Sequence, residues 1–211
     1  MAKTDATAAE KDLEQRVELE SDLTDLAALV RRARSVRRYD ESDPIGRELL
    51  LELVNLARLV PNGNNMQQLR FRVVSAPEER EATFACLSWA ARLRDWAGPE
   101  PGERPSGYVV ICAPEPVAPI RAVDTGIAAQ TMLLAATQAG YGGCMIKSFG
   151  PGLARALDLP EGMAPQLVLA LGKPGEKIVL DEADDEHGVA YWRDADGTHH
   201  VPKLPLSEVL L

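Results

Sequence analysis

From Ile127 to Ala139 the chain reads Ile-Ala-Ala-Gln-Thr-Met-Leu-Leu-Ala-Ala-Thr-Gln-Ala, without a charged side chain. Such a run forms a helix that is apolar on most faces, and a helix of that kind has to be buried in a core or at a subunit interface. Asp124-Thr125-Gly126 supplies cap-type residues at its start, and Gly140-Tyr-Gly-Gly143 ends it. Whatever else the chain forms must therefore surround this helix. Strands are predicted over 69–75, 108–112, 144–146 and 166–171, where apolar runs alternate or sit between turn residues. Leu23, Leu26, Ala27 and Val30 recur at helical spacing after Ser21-Asp22, and a second helix starts near Pro44 and stops at Pro61-Asn-Gly-Asn-Asn65. Further helices are predicted over 78–97 and 152–157. Strands scattered among helices without strict alternation indicate an α+β layered fold.

Residues 1–20 are polar, charged and Ala-rich and read as a flexible lead-in, which leaves 21–211 as one domain. Aromatics make up 5% of the chain, so aliphatic side chains must fill the core. The net charge of −9 sets up a field that repels phosphate polymers and anionic bilayers, so neither nucleic acid nor membrane is expected as a partner. A local basic pocket for a single phosphate remains compatible with it. No apolar run approaches the roughly 20 residues needed to span a bilayer. The N-terminus lacks the apolar core of a signal peptide. Cys86, Cys112 and Cys144 are odd in number and widely spaced, unlike a disulfide framework or a zinc site, and read as core residues in a reducing cytoplasm. The acidic run 181–186 reads as a solvated loop.

In this acidic chain a basic cluster stands out, Arg31-Arg-Ala-Arg34-Ser35-Val-Arg37-Arg38. Guanidinium groups offer planar, bidentate donors and a serine adds a short hydrogen bond, a combination suited to phosphate. Taken alone, the cluster reads more simply as a solvated face or as cations favoured at a helix C-terminus. The loop from Pro61 to Gln68 is rich in amides, whose paired donors and acceptors suit the uracil-like edge of a flavin, though composition alone makes it an ordinary helix stop. Glycine-rich dinucleotide and P-loop fingerprints are missing, as is a serine nucleophile elbow. His199 and His200 are adjacent on a predicted strand and point to opposite faces, which makes them a poor metal pair, and no metal ligand is nominated.

In order, these pieces resemble the nitroreductase family of FMN enzymes. The match begins with Arg34-Ser35-Val36-Arg37-Arg38-Tyr39 after an amphipathic helix, followed by Pro44-Ile and another helix. Pro61-x-x-x-Asn65-x-Gln67 leads into a strand, and Asp124-x-Gly-Ile-Ala-Ala-Gln130 through Gly140-x-Gly is similar to the family's central dimer helix. Ala170-Leu-Gly-Lys-Pro and Lys203-x-Pro-Leu resemble its last strand and C-terminal signature. The ordered set covers roughly residues 23–211 and outweighs the blander reading of each piece.

The resemblance implies a three-layer sandwich, a mixed and mainly antiparallel sheet flanked by helices, assembled as an intertwined homodimer with FMN at the interface. Arg34, Ser35 and Arg37 would contact the phosphate, ribityl chain and pyrimidine end, and Lys203 would be a cation near the phosphate, with Lys173 a further candidate. Pro61, Asn62, Gly63 and Asn65 would reach the flavin across the dimer, and Ile146, Lys147 and Ser148 would lie beside the ring. The implied activity is ping-pong hydride transfer from NAD(P)H through FMN to a nitroaromatic or quinone-type acceptor, with no catalytic side chain required. A non-enzymatic FMN-binding sensor or storage protein, or a flavin-dependent dehalogenase or dehydrogenase, is the alternative. The chain departs from the family pattern at Ala33, where Arg is frequent, at Asn62, where Ser is usual, and at Gln68-Leu69 in place of Pro-Trp. The loop Gly98 to Pro105, with Trp89 and Trp96 nearby in sequence, is a candidate substrate cover, and both tryptophans equally suit the core.

Overall fold

The computed structural model describes residues 21–93, 95–185 and 187–211, so the lead-in expected at 1–20 lies outside the described residues. The chain divides into two compact units, Ala33–Gly175 and a second made of 21–32 with Glu176–Leu211.

The larger unit is built on a five-stranded sheet of β1 (Tyr39–Asp40), β2 (Arg70–Val74), β3 (Gly107–Pro114), β4 (Gly142–Ile146) and β5 (Met163–Pro174). The order is β1-β5-β3-β2, β4 also pairs with β5, and every ladder is antiparallel. Side-chain alternation assigns the two faces. Val109 and Ile111 of β3, with Leu169 and Leu171 of β5, join Leu50, Leu53, Ala128 and Met132 in one core. Tyr108, Val110 and Cys112, with Val168 and Ala170, join Leu153, Leu157 and Trp89 in the other. The first core holds α2 (Arg47–Ala57) and α4 (Ile120–Gln138), whereas the second holds α5 (Leu153–Ala156) and the chain beyond α3 (Pro77–Phe84). Helices on both sides make the sandwich three-layered. They also explain why β3 and β5 read as continuous apolar runs, since both faces are dry.

The charge-free run is indeed helical, but it starts earlier than the sequence suggests. The helix α4 begins at Ile120, so Asp124 lies inside it instead of capping it. Asp124 is engaged by Arg121 one turn back (2.5 Å), which removes its competition with the backbone. Ala128, Met132 and Ala136 repeat every fourth residue on the buried side, while Ile120, Val123 and Ile127 are exposed. In the opposite sense, α3 stops at Phe84 although helical pattern continues towards residue 97. There the backbone is captured by another segment, with Ser88 N–H donating to Ser148 (2.9 Å) and Gly150 N–H to Cys86 (2.8 Å).

The smaller unit contains α1, described from Ser21 to Arg32, and a three-stranded sheet. The strands β6 (Ile178–Glu182) and β8 (His199–Lys203) pair in parallel, and β7 (Trp192–Arg193) pairs with β8 across a turn at 194–197; α6 (Leu206–Val209) follows. The acidic run is thus not wholly a solvated loop, because Asp181 and Glu182 belong to β6. His199 is fully buried, whereas His200 faces outward as alternation requires. Trp192 lies flat between two imidazoles, His200 at 4.2 Å and His187 at 4.4 Å between ring centroids. Nδ1 of His200 is 2.8 Å from Asp181, its Nε2 is 3.3 Å from Asp194, and His187 contacts Asp184 at 3.3 Å.

The Asp181 hydrogen bond, helped by Asp194, raises the His200 pKa above its ordinary 6.5. A cation stabilised only in the fold contributes fully below the unfolded pKa, and that stability is lost as pH rises through the folded one. The thermal midpoint should therefore fall as pH rises above the ordinary histidine value of 6.5, and His200→Asn should flatten the fall. A slope unchanged in the variant would remove His200 from the account.

Candidate functional site

The basic segment is placed by two fixtures. Ser35 forms a parallel bridge with Gly143, and the Val36 N–H donates to the Gly143 carbonyl at 3.0 Å, which sets residues 35–36 alongside β4. Three residues on, the buried Tyr39 places its hydroxyl 2.6 Å from the Val36 carbonyl and 3.1 Å from that of Ala170 in β5. Val36 and Tyr39 thus face inward, while Ser35 is exposed and Arg34 and Arg37 are half-buried. Partial burial lowers the Arg34 pKa. A guanidinium held where its charge is poorly solvated gains from an adjacent anion.

On its far side β4 leads to Ile146, which is buried, and to Lys147 and Ser148, which are exposed. The Lys147 ammonium donates to the Gln166 carbonyl at 2.6 Å. Lys173, on β5 opposite Asp40, is ion-paired with Asp43 at 3.0 Å and lies 5.5 Å above the Tyr141 ring. Lys203 is exposed on β8 of the other unit.

The amide loop has its own anchorage, on α4. The Gly63 N–H donates to Asp124 at 2.8 Å, and the Asn62 side chain accepts the Gln67 N–H at 3.0 Å. The structure thus gathers Arg34, Ser35 and Arg37 beside β4, and it ties Asn62, Gly63 and Asn65 to α4. Sequence reasoning missed Tyr39 as the staple, Asp43 as the partner of Lys173 and Asp124 as the loop's anchor. Only Asp124 had left a signal, as a cap-type residue at the edge of an apolar run.

Trp89 belongs to the core, with Trp96 edge-on at 6.4 Å. The loop expected to cover substrate is pinned to the scaffold, since Glu41 accepts the N–H groups of Gly102 (3.1 Å) and Arg104 (2.7 Å). Arg104 in turn pairs with Glu81 at 2.9 Å and stacks on Phe84 at 4.2 Å. Among the described residues no helix is long and apolar enough to cross a membrane.

A family model for the nitroreductase family matches residues 30–173. The chain belongs to the nitroreductase family. The match takes in the basic segment, the amide loop, α4 and the five-stranded sheet up to Lys173; the Lys203 region lies beyond it. Solved nitroreductase-family structures share the fold at low identity. One from Clostridium difficile 630 is 20% identical, with a TM-score of 0.60 over 87% of this chain and 95% of its own. An FMN-dependent nitroreductase from Clostridium difficile R20291 is 20% identical, with a TM-score of 0.59 over 71% and 87%. An enone reductase of gut-bacterial fatty acid saturation is 19% identical, with a TM-score of 0.59 over 72% and 90%.

Proposed function

We propose that this nitroreductase-family chain is an FMN-dependent oxidoreductase, working as a homodimer, that uses NAD(P)H to reduce a small organic acceptor of the nitroaromatic or quinone type. The observation that carries the reading is the grouping of Arg34, Ser35 and Arg37 on one short segment, fixed beside β4 by the Ser35–Gly143 bridge. Two guanidinium groups and a hydroxyl on one short segment fit the donor set that a phosphate monoester and its sugar-like chain require. When bound, FMN supplies reversible two-electron hydride exchange between a nicotinamide and an organic acceptor.

This chain's residues would bind and orient that group. Arg34, Ser35 and Arg37 would hold the phosphate and the polar chain. Lys173, already paired with Asp43, is the weaker candidate. Pro61, Asn62, Gly63 and Asn65 present amide and backbone groups from the second subunit, and the 146–148 backbone lies beside the ring. Loss of phosphate-loaded cations would be felt in cofactor retention before it was felt in turnover. Reduction of an enone by one fold relative and the naming of others for nitro groups mean that the scaffold alone leaves the acceptor open.

The dimer is supported by Ile120, Val123 and Ile127, spaced along one exposed side of α4. Val123→Asp should convert a dimer into monomers in light scattering, because a charge buried at an interface goes uncompensated. A variant that stays dimeric would move the interface elsewhere.

The function itself is tested by an absorbance spectrum of the purified protein, repeated anaerobically after adding NADH or NADPH. A flavin spectrum that bleaches is the expected result. A spectrum that persists oxidised would point to a different donor, and a protein that takes up no flavin on reconstitution with FMN would overturn the reading.

A further inference from the structure

We infer that Asp124 is the positioning residue of the amide loop, holding Asn62–Gln67 in a conformation the loop would not keep alone. The inference rests on the proposal that this loop meets FMN. Asp124 is 1% exposed and divides its two oxygens, Oδ2 to the guanidinium of Arg121 (2.5 Å) and Oδ1 to the Gly63 N–H (2.8 Å). Satisfying one amide does not require a buried charge, since a neutral side-chain carbonyl accepts the same hydrogen bond. The ionised form, paired with an Arg121 that is itself 5% exposed, gives a stronger acceptor fixed in direction by its second partner.

The loop needs such an anchor. Asn64, Asn65 and Gln67 have φ of 54°, 52° and 48°, left-handed values that non-glycine residues adopt at a cost. Conformations of this kind persist where the surroundings over-determine them and collect at binding sites. Packing alone does not do so here, because a cavity of about 300 Å³ lies against the loop, bordered by Val54, Leu69 and Phe71 and by Asn62, Gln67 and Asp124. Hydrogen bonds such as that from the Gln67 N–H to the Asn62 side chain close the loop on itself, and contact with α4 fixes it to the scaffold. Gly63 approaches it so closely that an added Cβ would sit 2.6 Å from Cγ1 of Ile120. Asp124 therefore acts through Gly63, and the exposed amides of Asn64, Asn65 and Gln67 keep the directions that this anchorage gives them.

Two paired variants separate the hydrogen bond from the buried charge. Arg121→Met with Asp124→Asn removes the charge and keeps an acceptor for Gly63, whereas Arg121→Met with Asp124→Leu removes both. Hydrogen exchange at 63–67 in the FMN-free protein and FMN affinity are then measured in each. The leucine pair should exchange at least about tenfold faster and bind FMN at least about tenfold more weakly than the asparagine pair, which should stay within about threefold of the wild type. Should the leucine pair fail to fold, Asp124→Ala in the same background carries the comparison. Equal exchange in the two pairs overturns the anchor. Unequal exchange with equal FMN affinity overturns its role toward the flavin. Wild-type protein that takes up no FMN overturns the flavin reading and that role together, while the exchange contrast still decides the anchor.

Discussion

Replacing Arg34 and Arg37 together with alanine is expected to yield a folded protein that purifies without colour. Each guanidinium forms charge-assisted hydrogen bonds worth about 1.5–3 kcal/mol, so losing both should weaken FMN binding by at least about two orders of magnitude. The segment is attached through Ser35, Val36 and Tyr39, and the thermal midpoint of the FMN-free double variant, measured alongside, separates a loss of cofactor contacts from a loss of fold. Arg38→Ala is the matched control. That side chain is paired with Glu103 at 3.3 Å on the partly exposed margin, and its loss should cost about 1 kcal/mol of stability or less. Fluorescence titration with FMN decides the matter, and a double variant that binds as the wild type does would remove this segment from the phosphate.

Gly143→Val should be the most damaging single substitution in the sheet. A Cβ at this position would stand 2.6 Å from the Ala170 carbonyl oxygen and 2.8 Å from methyls of both Leu133 and Leu171. The first of these atoms is backbone in a central ladder and has nowhere to go. Overpacking of this sort costs about 3 kcal/mol, and a chain of this size loses roughly 2–4 °C per kcal/mol, so a calorimetric midpoint should drop by roughly 6–12 °C. The damage should extend to the site, because Gly143 is also the residue on which Ser35 is aligned. A midpoint within about 2 °C of the wild type would show that β4 yields more easily than its contacts imply.

What the sequence made legible follows from periodicity. The strands β3 and β5 are long, aliphatic and covered on both faces, so their composition alone marked them, and the ordered motifs placed the basic segment before a helix and the amide loop before β2. The strands β1 and β7 have two residues each, too few to carry a pattern, and neither β6 (Ile-Val-Leu-Asp-Glu) nor β8 (His-His-Val-Pro-Lys) alternates apolar with polar residues. The overextension of α3 and the misplaced start of α4 share a cause. Local preference favours a helix through Leu87 and a cap at Asp124, and in each case a partner distant from the local pattern, Ser148 in one and the Gly63–Arg121 combination in the other, claims the groups involved. Tertiary partners of this kind leave no periodic trace. The same holds at Lys173, whose likeness to a phosphate ligand on the sequence gave no hint of Asp43 beside it.

The position of β5 has a consequence for how the chain assembles during synthesis. Three other strands pair with it, yet it is the last strand of its sheet to leave the ribosome. Until residues 163–174 emerge, β2 and β3 can join, but β4 has only residues 35–36 beside it, and β1 only Glu103, whose carbonyl accepts the Tyr39 N–H. A nascent chain longer than 146 residues but short of 163 therefore carries the dry, aliphatic edges of β3 and β4 with no mate for either. Such edges are templates for mispairing, so the interval in which β4 has left the ribosome and β5 has not is when the growing chain depends most on holdase protection.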